Sequence, residues 1–192
     1  MPERPPTGND IEAALRGRPI IAIVGWKNSG KTTLAVRLVE VLTDRGYRIA
    51  TIKHAHHALR LDDEGTDSAR HRAAGARQVA VVSAERWALL TEGPEPDFAD
   101  VIARLGPADL IVVEGYKSQP IPKIEARRRD SLPGAGLAEQ DDNVIAIAAD
   151  YAVEARSRPV FAIGDVEAIA DFVIATVGVG APPAAPIKGL EP

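Results

Sequence analysis

PIIAIVGWKNSGKTTLAVRLVEVLTDRG, residues 19–46, decides how the rest of this chain is read. Ile20 to Val24 is a short apolar, β-branched run, which reads as a strand buried on both faces. Thr32 to Thr43 carries apolar residues at Leu34, Val36, Leu38, Val39, Val41 and Leu42, which reads as a helix, and Gly46 suits its stop. Between them lies GWKNSGKT, with Gly25, Gly30, Lys31 and Thr32 at the four defining positions of a phosphate-binding loop. A helix N-terminus offers unpaired N–H groups and a partial positive charge, and glycines let the backbone curl around a phosphate without a Cβ in the way. Lys31 is placed to reach β- and γ-phosphates as a point charge, and the Thr32 hydroxyl to ligate Mg²⁺. The expected nucleotide contacts are Gly25, Lys27, Asn28, Ser29, Gly30, Lys31, Thr32 and Thr33.

A bound Mg²⁺ also calls for a carboxylate from another strand. The segment DLIVVEG offers Asp109 before an apolar run and Glu114 at its end. Ligands of open parallel sheets sit beyond the carboxyl ends of the strands, and Asp109 lies five residues back, about 16 Å at strand rise. Glu114 is therefore the candidate metal ligand and catalytic carboxylate, against the alternative of an ordinary loop-edge acid. Asp67, in DDEGTDSARHR, is a second candidate for both roles, in a loop that would sense the γ-phosphate; helix capping by Thr66, Asp67 or Ser68 is the competing reading. Arg70 and Arg72 read as solvated helix charges.

Three of the four histidines, His54, His56 and His57, follow the strand expected over 48–53. Metal binding, contact with an anionic ligand alongside Lys53, and a plain polar loop are the three readings. Lys117, Lys123, Arg127, Arg128 and Arg129 form a basic edge after the Glu114 strand, suited to a second anion such as a pterin phosphate, or simply solvated. Trp26 and Trp87 are expected to be packing residues.

Further elements are expected as a short helix over 67–74, a possible hairpin of strands 78–84 and 87–91, and a helix over 97–105. Strands are expected at 110–114, 123–127, 144–148 and 160–163, with a last helix over 166–177. Strands alternating with helices make the fold class α/β, a P-loop NTPase-type sheet with helices on both faces in a single domain. Residues 1–18, rich in Pro, Gly and charge, are expected as a flexible arm with at most a short helix starting near Asp10. Residues 19–177 are the nucleotide-binding domain, and residues 178–192 a disordered tail.

With 192 residues and 45% hydrophobic content the chain can bury one sizeable core. A net charge of -4 gives no global field for nucleic acid, and no apolar stretch approaches the length of a membrane span. The absence of cysteine excludes disulfides, thiolate metal sites and thiol chemistry. A cytoplasmic protein is expected.

The segments GWKNSGKTTL, TIKHAHH, GTDSARHRAAGA, DLIVVEGYK and PKIEARR, taken in this order, resemble the molybdopterin-guanine dinucleotide biosynthesis adaptor (MobB) family. The resemblance implies a GTP-binding homodimer with weak intrinsic hydrolysis. Its implied role is to assist a molybdenum cofactor guanylyltransferase that attaches GMP to molybdopterin, with molybdopterin itself a further candidate ligand. The Asn-Lys-x-Asp element by which many GTPases read guanine is missing, so Asp150, at the end of NVIAIAAD, is the candidate base contact. Two other functions compete. A small-molecule kinase or ligase would use the same loop and turn over alone, and a metallochaperone GTPase would use the histidines.

Overall fold

The computed structural model describes residues 8–55, 65–131, 136–155 and 157–183. Its helices are α1 (Gly8–Leu15), α2 (Lys31–Asp44), α3 (Asp67–Ala73), α4 (Phe98–Arg104) and α5 (Val166–Val177). Its strands are β1 (Ile20–Val24), β2 (Ile49–Lys53), β3 (Gln78–Val82), β4 (Trp87–Thr91), β5 (Leu110–Glu114), β6 (Lys123–Arg127), β7 (Val144–Ala149) and β8 (Val160–Ala162). A 3-10 turn spans Leu137–Glu139. These elements divide into two compact units, residues 55–97 forming the smaller and the rest of the chain the larger.

The larger unit is built on six parallel strands in the order β2-β5-β1-β6-β7-β8. All five residues of β1 are buried, as are the first four of β5, which is why these two segments read as continuous apolar runs with no alternation; the first four of β6 are buried too, the charged Lys123 and Glu125 among them. Edge strands β2 and β8 are only partly covered. Ile21 and Ile23 of β1 face one layer, where Leu34, Leu38 and Leu42 of α2 meet Ile169, Ala170 and Val173 of α5. Ile20, Ala22 and Val24 face the other, with Ile11 of α1 and Phe98 and Ile102 of α4. The fold is thus the doubly covered, P-loop NTPase-like sheet that the strand-helix alternation implies.

Residues 8–15, assigned by sequence to the arm, form α1, and Ile11 is 2% exposed within the second layer. The prolines lie before this stretch, at positions 2, 5 and 6, while Ile11, Ala14 and Leu15 recur at helical spacing and supply a face to bury. At the other end, Gly178 closes α5 in the left-handed conformation, φ 72°, which a glycine adopts without steric cost.

In the smaller unit Thr66 caps α3, its hydroxyl accepting from the Ala69 N–H at 3.3 Å, and β3 pairs antiparallel with β4. Arg72 bonds Glu92 at 2.8 Å and is not a purely solvated charge. Among the described residues no helix is long and apolar enough to cross a membrane.

Candidate functional site

The chain leaves β1 at Gly25, and β1 has β5 on one side and β6 on the other. Neighbouring strands therefore diverge here in their onward connections, and loops from three strand ends open a crevice at one edge of the sheet. Ile23 is level with Glu114, and Val24 with Glu125, so the segments after Gly25, Glu114 and Arg127 share that edge.

The Gly25–Thr32 loop is tight. A Cβ at Gly25 would strike Ser29 Oγ and lie 2.5 Å from the Ala126 carbonyl oxygen. Gly30, at φ 86° and ψ 10°, is the N-cap of α2, and no side chain caps the helix there. Asn28 also lies in the left-handed region, φ 65°. The Lys31 ammonium donates back to the Trp26 carbonyl at 2.8 Å. Its pKa is lowered, first by burial and then by the Lys117 and Lys53 charges, with Glu114 opposing. Ser29 is 1% exposed, and among the described residues its hydroxyl has no hydrogen-bond partner. Lys27, Asn28 and Thr33 are exposed on the outer side of the loop and the first turn of α2.

Glu114 ends β5 and turns its carboxylate onto this loop. Thr32 Oγ1 donates to Glu114 Oε1 at 2.6 Å, and Lys53 Nζ lies 3.1 Å from Oε2. Asp109 sits before β5, at the far edge, where it accepts from the Arg48 N–H and guanidinium at 2.7 Å. Asp67 belongs to the smaller unit, at the start of α3, exposed and 3.5 Å from Arg70. Asp150 follows β7 and accepts from the Arg129 N–H at 2.8 Å.

The His54 ring stacks on Tyr116, centroids 4.5 Å apart, and the His54 backbone N–H donates to the Glu114 carbonyl at 2.9 Å. His56 and His57 lie outside the described residues, and among those described no three histidines or carboxylates gather as a metal cluster.

The basic edge is not one surface. Lys123 opens β6, is 1% exposed, and its ammonium bonds Asp141 at 2.8 Å and the Gln119 carbonyl at 2.5 Å. Arg127 is held by Glu125 at 2.7 Å and Glu139 at 3.1 Å. Both cations are thereby removed from any second anion site, because buried charges are retained only when paired. Lys117 instead stands over the Trp26 ring, 4.1 Å from its centroid. The tryptophans are corrected too: Trp26 is 38% and Trp87 72% exposed, so neither is a core residue.

One residue of that basic edge, Arg128, lies against the loop. The Arg128 Nε would be 2.7 Å from a Cβ on Gly30, and Ile163 Cδ1 3.3 Å. β6 runs beside β1, and Arg128 is the first residue beyond it.

A family model described as Molybdopterin guanine dinucleotide synthesis protein B matches residues 20–150. The molybdopterin-guanine dinucleotide biosynthesis adapter protein of Haemophilus influenzae is 40% identical over 158 residues, covering 81% of this chain and 87% of that protein. The adapter of the same name from Escherichia coli is 40% identical over 165 residues, covering 81% and 91%. Among solved structures, Bacillus subtilis MobB superposes with a TM-score of 0.67 at 29% identity, covering 83% of this chain and 98% of that one. A MobB homolog from Bacillus stearothermophilus gives 0.60 at 26%, covering 84% and 99%. From these matches, the family model spanning β1 to β7, the chain belongs to the molybdopterin guanine dinucleotide synthesis protein B family.

Proposed function

We propose that this chain is a GTP-binding adaptor in molybdopterin guanine dinucleotide biosynthesis. In this reading it acts in the cytoplasm as a homodimer and assists the guanylyltransferase that joins GMP to molybdopterin. The relatives' names supply the pathway. The single observation that carries the nucleotide part is the convergence of Thr32 and Glu114, 2.6 Å apart, beside a glycine loop at an uncapped helix N-terminus.

The donor set fits Mg²⁺, a hard cation that takes a few carboxylate and hydroxyl oxygens and keeps waters for the remainder of its octahedron. Thr32 and Glu114 would hold it, Asp67 being the alternative carboxylate, and the ion would neutralise phosphate charge. The loop's N–H groups and Lys31 would orient the phosphates. In such a frame Glu114 would position a water for slow hydrolysis, and Asp150 would meet the base.

Calorimetric titration with GTP and ATP, each with and without Mg²⁺, tests the nucleotide assignment. Tighter binding of GTP, strengthened by Mg²⁺, is expected. The adaptor assignment is tested by adding the chain to a guanylyltransferase supplied with molybdopterin and GTP. It should increase dinucleotide formation while turning over little GTP alone; rapid turnover without the partner would favour a kinase or ligase.

A further inference from the structure

Three consecutive arginines leave β6, and their surroundings separate them. Arg127 is tied to Glu125 and Glu139. Arg129 lies over the Tyr151 ring, 5.9 Å from its centroid, with its N–H on Asp150. Arg128 lies between these two in sequence, is half-buried, and among the described residues its guanidinium has no carboxylate or hydrogen-bond acceptor. Only its carbonyl is used, accepting from the Ser131 N–H at 3.0 Å and the Ser131 hydroxyl at 2.7 Å, which pins the turn.

That unclaimed cation packs on Gly30. Its Nε and Cζ come within 2.7 and 3.2 Å of where a Cβ would stand. Gly30 is the N-cap of α2, with no capping side chain. A guanidinium there faces the positive end of the helix dipole, an unfavourable pairing in the absence of an anion. Half-burial adds a desolvation cost that no partner offsets. Both penalties vanish if an anion with several acceptor oxygens lies between the helix N-terminus and the guanidinium, whose planar fork matches phosphate geometry.

We infer that Arg128 is a phosphate-binding residue supplied in cis from the end of β6, which closes over the nucleotide's phosphate chain from the side opposite Glu114's strand. The inference rests on the nucleotide reading above. The sheet order supports it: β5 delivers Glu114 on one flank of β1, and β6 delivers Arg128 on the other. The phosphates would then lie between a carboxylate that suits a metal and a guanidinium that needs none. Lys31, from beneath, is the third charge of the set.

The test uses the full-length chain, with GTP and inorganic tripolyphosphate as probes. Arg128→Gln should weaken GTP binding about ten- to hundred-fold, the scale of one charge-assisted hydrogen bond. The concentration of tripolyphosphate that displaces GTP should rise in proportion to the lost affinity for the phosphate chain. Arg128→Lys should recover part of the loss, because it restores charge without the fork, and the nucleotide-free melting temperature should stay near wild type. A GTP affinity within about twofold of wild type in Arg128→Gln, while Lys31→Ala abolishes binding, overturns the role of Arg128 and leaves the nucleotide site standing. Loss of GTP binding with unchanged tripolyphosphate affinity also overturns it, placing the side chain at the base or ribose. If Arg128→Gln does not fold, Arg128→Lys decides: wild-type affinity for both probes refutes the assignment. A wild-type chain that binds no triphosphate refutes the nucleotide reading and this inference together.

Discussion

Thr32 Oγ1 and Glu114 Oε1 stand 2.6 Å apart, joined by a hydrogen bond between the first turn of α2 and the last residue of β5. Lys53 holds the other carboxylate oxygen at 3.1 Å, so Glu114 is oriented from two sides. A carboxylate fixed against a threonine at this place is suited to share a hard cation with that hydroxyl. Glu114→Gln preserves the shape and removes the charge. It should leave GTP affinity measured without Mg²⁺ nearly unchanged and lose the increment that Mg²⁺ adds, together with most residual hydrolysis. If Asp67→Asn shows that selective loss and Glu114→Gln does not, Asp67 is the metal partner.

Lys31→Ala should abolish measurable GTP binding with little change in the thermal melt. The wild-type chain offers a second readout through pH. Burial and the neighbouring Lys117 and Lys53 charges hold the Lys31 pKa below its ordinary value of 10.5. A bound triphosphate favours the charged form, so binding takes up a proton once the pH exceeds the lowered pKa. GTP affinity should therefore begin to fall at a pH below 10.5, approaching tenfold per unit. Affinity constant up to that pH would show that Lys31 does not meet the phosphates.

The Lys123–Asp141 pair tests a structural assignment. Lys123 is 1% exposed while Asp141 is 25% exposed, so removing the acid leaves an ammonium buried with only the Gln119 carbonyl. Asp141→Asn should cost about 3 kcal/mol, the low end for a broken buried pair because the carboxylate is partly wet. Burial raises the Asp141 pKa, but hydrogen bonds from Lys123 and Asn143 outweigh it and the net shift is downward. The sign follows: the unfolded chain binds the proton more readily, so the pair's stabilisation is full above the ordinary value of 3.8 and fades as pH falls below it. Urea melts of both proteins between neutral and acid pH should converge at the acid end.

What sequence could read here was what local pattern determines. The β1-loop-α2 unit was legible because the apolar run, the glycines and the helical spacing are contiguous in 28 residues, 19–46. The placement of Glu114 at the end of β5, and of Asp109 before it, was legible because the apolar run between them is continuous. Lys123 was read as the first residue of a strand, but its burial against Asp141 was not legible, because that contact depends on the nonlocal pairing of β6 with β1 and β7. Arg127 and Arg128 are identical in type and adjacent, and their separation into a paired and an unpaired cation depends on Glu125, Glu139 and the loop they face. Ile11 was overlooked because composition averaged it with the prolines before it.

The two glycines of the loop should respond differently to a methyl group. At Gly25 the added Cβ meets the Ala126 carbonyl oxygen at 2.5 Å and Ser29 Oγ. A backbone oxygen of a buried strand cannot swing aside, so the clash spreads into β6. At Gly30 the obstacle is the Arg128 side chain, at 2.7 Å from Nε, with Ile163 Cδ1 at 3.3 Å, and a flexible side chain can rotate away. What remains at Gly30 is the left-handed backbone, φ 86°, worth about 1–2 kcal/mol for a residue with a Cβ. Gly25→Ala adds about 1–3 kcal/mol of overpacking to whatever its own φ of 150° costs. In nucleotide-free thermal melts, where 1 kcal/mol shifts the midpoint by about 2–4 °C in a chain of this size, Gly25→Ala should therefore lose more than Gly30→Ala. Both should lose most of their GTP affinity, Gly25→Ala through a distorted loop and Gly30→Ala because its methyl occupies the approach to the α2 N-terminus and displaces Arg128. The double variant Gly30→Ala, Arg128→Ala separates the last two causes: a melt defect close to that of Gly30→Ala alone, with no recovery of GTP affinity, fits this geometry, and full recovery of GTP affinity contradicts it.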